Sequence, residues 1–102
     1  MANKYKVITL CGSIKFKGEF LTVCQQLTLN GYVVLMPTIF DDNMQIENDK
    51  LAMLKNIHFQ RIDMADEIFV INKNGHIGES TKNEIEYAAK SGKKINYLEP
   101  IK

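Results

Sequence analysis

The chain has 102 residues, 45% of them hydrophobic and 25% charged, with 13 basic and 12 acidic side chains and a net charge of +1. That length holds one domain, 1–102, with a single core, and the composition is that of a globular chain rather than a disordered one. Balanced charge without basic runs argues against a nucleic-acid polymer as partner, and no apolar run approaches the roughly 18 residues of a membrane span.

The opening MANKYKVITLCG lacks the apolar core of a signal peptide, which predicts a cytoplasmic protein without a membrane partner. Val7 to Cys11 is a β-branched, apolar run that stops at Gly12 and reads as a buried strand. After the loop Ser13-Ile14-Lys15, apolar Phe20, Leu21, Cys24 and Leu27 recur at helical spacing up to Asn30-Gly31. Tyr32 to Met36 is a second strand, ended by Pro37, and a polar segment follows to about Asp49. From Lys50, residues Leu51, Leu54, Ile57, His58 and Ile62 mark a second helix. Glu67 to Asn72 is a third strand, 73–80 a Gly-containing loop, Thr81 to about Ser91 a third helix closed by Gly92, and Lys94 to Leu98 a last strand. Cys11 and Cys24 lack the paired spacing of a zinc site and read as small core residues; no metal and no cofactor is called for.

Apolar strands alternating with helices imply an α/β, three-layer, flavodoxin- or Rossmann-like fold: four parallel strands in the order 2-1-3-4 with helices on both faces. A ligand crevice belongs at the carboxyl ends of strands 1 and 3, where the order reverses. Two loops meet there, Gly12-Ser13 and Gly78-Ser80-Thr81, each opening a helix, and helix N-termini suit an anion that Lys15 would help to hold. Gly and Ser are also ordinary turn and cap residues. No dinucleotide or P-loop fingerprint is present.

Thr81 and Glu84 stand at the spacing of a capping box, which places Glu84 on the first helical turn and favours its charged form. The same charged carboxylate suits a nucleophile. His58 falls on an apolar stripe and Asp66 between helix and strand, positions that core and loop residues commonly fill. His76 lies in the crevice loop, where a solvated loop residue is the plainer reading.

Three stretches in order, CGSIKF at 11–16, IDMADEIFVI at 62–71 and GESTKNEIEYA at 78–88, resemble the nucleoside 2-deoxyribosyltransferase family. The first looks most like its branch of 2'-deoxynucleoside 5'-monophosphate N-hydrolases. The resemblance implies cleavage of a base–sugar bond in a small nucleoside or nucleotide, with Glu84 as nucleophile and no metal or cofactor. It implies a 5'-phosphate held by Gly12, Ser13, Ile14 and Lys15 and by Gly78 and Ser80, with Thr9, Phe16 and Thr81 as further substrate-binding candidates. Thr9 matches the position of an aromatic residue that supports the glutamate, and His58 that of a carboxylate assisting the leaving base, with Asp66 a second candidate for proton transfer. A homodimer or higher homo-oligomer is implied as well. A non-catalytic module binding a nucleotide or sugar phosphate is the alternative from another class; a receiver-like domain fits less well, since Cys11-Gly12 stands where it would want an acidic residue.

Overall fold

The computed structural model describes residues 4–101. Strand β1, Val7–Gly12, is the centre of the molecule: its side chains alternate between two covered faces, so nearly every position is apolar and buried. Leu10 joins Phe16, Phe20, Val23 and Ile71 in one core layer, while Cys11 joins Ile62, Ile68, Val70 and Ala88 in the other. Helix α1, Lys17–Leu29, covers the first face; α2, Asn48–Asp63, and α3, Glu79–Lys90, supply the second.

The remaining strands are β2, Val33–Leu35; β3, Glu67–Ile71; and β4, Lys94–Tyr97. All pairings are parallel and the order is β2-β1-β3-β4, as the alternation of strands and helices predicts. Strand β2 is shorter than expected. It is an edge strand that meets only Val7 to Thr9 of β1 before Pro37 turns the chain away. On α1 the inward set is Phe20, Val23, Cys24 and Leu27; Leu21, expected inward, is exposed, because the i, i+3, i+4, i+7 stripe passes through 23 rather than 21.

Two helices start earlier than their apolar residues suggest. Helix α2 begins at Asn48 instead of Lys50. Helix α3 begins at Glu79, capped by Gly78 in an extended conformation, so Thr81 is its third residue and is buried. The capping box expected of Thr81 and Glu84 is therefore not formed: Thr81 is too deep in the helix to cap it, and Glu84 lies on the second turn. Similarly, the first loop opens not into an α-helix but into a 3-10 turn, 14–16, with the Ser13 hydroxyl accepting from the Lys15 amide at 3.4 Å.

At the amino end of the sheet, Asp66 and Val7 clasp each other. The Val7 amide donates to the Asp66 carboxylate at 2.9 Å and the Asp66 amide to the Val7 carbonyl at 2.8 Å. At the carboxyl end, β1 and β3 approach so closely at Gly12 that a Cβ there would lie 2.9 Å from the Ile71 carbonyl oxygen, with φ at +155°. Gly12→Ala is expected to lower stability by about 1–3 kcal/mol, because that contact is with backbone and cannot yield by a side-chain rotation. Urea unfolding measures the loss.

Candidate active site

The carboxyl ends of β1 and β3 open into a cleft of about 640 Å³. One wall is the first loop, Gly12, Ser13 and Ile14; another is the start of α3, Gly78 to Thr81 and Glu84; a third is α2, through Leu51, Leu54, Lys55 and His58. Pro37 and His76 complete it. This is the position expected of a crevice where the strand order reverses.

Nine of the residues singled out in the sequence meet here: Gly12, Ser13, Ile14, His58, His76, Gly78, Ser80, Thr81 and Glu84. Four do not. Thr9 is fully buried at mid-strand and its hydroxyl donates to the Arg61 carbonyl at 2.8 Å, tying β1 to α2. Asp66 is at the opposite end of the sheet, held by Val7, a strand length of about 17 Å from the cleft floor. Phe16 is a core residue packed edge-on against His76, and the Lys15 ammonium lies over the Phe16 ring, 5.3 Å from its centre, off the cleft wall. Thr9 and Asp66 thus serve the fold, and the full charge expected from Lys15 is not delivered to the cleft. The cation on the wall is Lys55.

The cleft floor is a junction of three elements. Cys11 at the end of β1, His58 on α2 and Glu84 on α3 bring a thiol, an imidazole and a carboxylate within 4.8 Å of one another. His58 Nε2 is 3.6 Å from Cys11 Sγ and 3.6 Å from Glu84 Oε1. On the other side of the ring, an Arg61 guanidinium nitrogen lies 3.3 Å from Nδ1. A guanidinium only donates, so Nδ1 accepts and the ring proton is on Nε2. The His58–Glu84 contact is then not an ion pair, because an imidazolium would set N–H against N–H at Arg61. The same proton denies a metal ion the nitrogen lone pair that faces the thiol and the carboxylate.

Electrostatics agree with that geometry. Burial first, and the Arg61 charge second, lower the His58 pKa to about 4, so His58 is neutral at physiological pH. The assistance to the leaving base that the family resemblance assigned to His58 is not what a neutral, buried imidazole offers as an acid. Burial raises Glu84 to about 7, against smaller opposing effects of a hydrogen bond from Cys11 and the Lys55 charge. Burial also pushes the Cys11 thiol well above its ordinary value, and the neighbouring Glu84 adds to that, so the thiol keeps its proton. The sequence suggested the reverse for Glu84, a carboxyl favoured as an anion. A helix macrodipole contributes about 0.3–1 kcal/mol and fades within the first turn, whereas a rise from 4.5 to about 7 corresponds to about 3 kcal/mol on the second.

Arg61 and Cys11 were not recognisable as site residues. The i, i+3 spacing of His58 and Arg61 was a signal that the ring and the guanidinium share a helix face, but nothing in sequence told which nitrogen would be engaged.

The chain belongs to the family described as a domain of unknown function (DUF4406), whose model matches residues 6–97, from just before β1 to the end of β4. Neither a curated protein nor a solved structure matches it.

Glu84 holds its proton to about pH 7 in the folded chain and to about 4.5 when unfolded. The folded state therefore carries an ionisation cost that is absent below pH 4.5 and complete above 7. Glu84→Gln removes it: the variant is expected to exceed wild type in stability by up to about 3 kcal/mol at pH 8, with the gain gone by pH 4.5. His58 acts in the other sense, since its folded value is depressed; its contribution is full above 6.5 and is lost as pH falls through about 4. In Glu84→Gln that loss is unmasked, and urea titrations across pH 4–8 read both.

Proposed function

We propose that this chain cleaves the N-glycosidic bond of a small nucleoside or nucleoside 5'-monophosphate, with Glu84 as nucleophile. The observation that carries the reading is the Glu84 carboxyl itself. It is mostly shielded, with 15% of its side chain exposed, opens into the cleft, and has a pKa raised to about 7, which makes it more basic than an exposed carboxylate and still half-ionised at neutral pH. The resemblance of the 11–16, 62–71 and 78–88 stretches to nucleoside 2-deoxyribosyltransferases supports the same assignment.

In the proposed reaction a Glu84 oxygen bonds to the anomeric carbon as the C–N bond breaks. The electron pair of that bond leaves with the base, which takes a proton from solvent. Water then adds its oxygen to the anomeric carbon, its proton going to solvent, and the Glu84 carboxylate is restored. A second base in place of water would make the reaction a transfer. Ser13, Gly78 and Ser80, gathered on the facing walls, are the groups we assign to a 5'-phosphate or sugar hydroxyls, with hydroxyls and backbone N–H groups as donors. His58, being neutral, holds the carboxylate rather than protonating the leaving base.

A non-catalytic nucleotide-binding module is the competing reading, favoured by the absence of a protonated imidazole at Glu84. Following free base from a panel of nucleosides and 5'-monophosphates separates the two. Turnover is expected, with kcat/KM rising about tenfold per pH unit below 7 and levelling above it. Glu84→Gln should lose activity on the order of 10³-fold or more while still unfolding cooperatively. Thermal stabilisation by a 5'-monophosphate with no base released, equally in wild type and Glu84→Gln, would instead establish the binding module.

A further inference from the structure

We propose that Arg61 is a positioning residue: by donating to Nδ1 of His58 it locks the ring as the Nε2–H tautomer and sets the ring N–H against Cys11 and beside Glu84. Each of the two links at the ring has one possible sense. Arg61 can only donate, across 3.3 Å, to Nδ1. The ring proton is then on Nε2, which faces Cys11 Sγ and Glu84 Oε1 at 3.6 Å each, the first within reach of a sulfur acceptor. The Cys11 thiol, kept protonated by burial, lies within 4.8 Å of the Glu84 carboxylate and of the ring. The ring N–H is thus turned to the side of Cys11 and Glu84, away from Arg61.

Arg61 is itself held in place from two other elements. Its second terminal nitrogen donates to the Thr38 hydroxyl at 3.1 Å, in the segment after β2, and its carbonyl accepts from Thr9 on β1. The buried Thr9 hydroxyl thereby gains a purpose at the site without lining it. The titratable and charged groups around the imidazole are Cys11 from β1, Glu84 from α3 and, on its own helix, Arg61, with Lys55 one turn earlier on the cleft wall. The nearer Glu84 oxygen to the ring is Oε1, at 3.6 Å. The meaning of the lock for turnover rests on the proposed glycosidic reaction; the tautomer does not.

Long-range ¹H–¹⁵N correlation of the imidazole nitrogens in labelled protein, from pH 5 to 8, tests the inference without any substrate. Wild type should show His58 with a proton-bearing Nε2 and a bare Nδ1 throughout that range. In Arg61→Met the lock should be lost, with both nitrogens moving toward the averaged position of mixed tautomers or of a protonating ring, and Arg61→Lys should restore it. Thr38→Val, which frees the guanidinium while leaving the core untouched, is the second variant, expected to give a partial loss. A bare Nε2 in wild type, or a wild-type spectrum in folded Arg61→Met, would overturn the inference. If wild type releases no base yet shows the locked ring, the proposed reaction fails and the role of Arg61 stands.

Discussion

The rest of the site depends on one unfavourable placement, a carboxyl group largely shielded from water where β1, α2 and α3 converge. Removing a carboxylate from water is costly, and here only partial compensation is present: a thiol donor, a neutral imidazole at 3.6 Å and a lysine at the rim. The balance, about 3 kcal/mol against the ionised form, is a large fraction of the 5–15 kcal/mol that stabilises a typical domain. Ionisable groups held at such a cost in a cleft concentrate where chemistry or binding occurs.

The sheet order creates the location and the packing of α2 and α3 creates the dryness. Because β1 and β3 are neighbours whose following helices lie on opposite faces, the connections leaving their paired carboxyl ends diverge and open the cleft. On α3, Ser80, Glu84 and Ala88 share one face. Ala88 packs in the core at its inner end, and the same face turns into the cleft at its outer end. Glu84 sits between, which is why it is shielded from water without being sealed from a ligand. Gly12 permits the close approach of β1 to β3 that forms the floor.

Much of this was legible in the sequence because it follows from alternation and turn chemistry. Apolar runs that stop at Gly12 and Pro37, alternating with helical stripes that stop at Gly31 and Gly92, are enough to order the strands, and the order is enough to gather Ser13, Ser80 and Glu84 at one end. The failures are equally specific. Thr81-x-x-Glu84 matched the capping pattern, but Gly78 in an extended conformation with acidic Glu79 after it starts the helix two residues earlier, which moves Glu84 from the dipole's reach into the protein's interior. Asp66 was adjacent in sequence to site-bearing elements yet belongs to the far end of a strand. The tautomer of His58 is a matter of which donor meets which nitrogen, and such angular detail has no trace in spacing.

The account stands or falls on the ionisation of a single carboxyl. The ¹³C chemical shift of the Glu84 side-chain carboxyl, followed from pH 3 to 9 in labelled protein with Glu84→Gln to assign the signal, measures it directly. A midpoint near 7 is predicted; a midpoint at the ordinary 4.5 would show a solvated carboxylate and contradict the account.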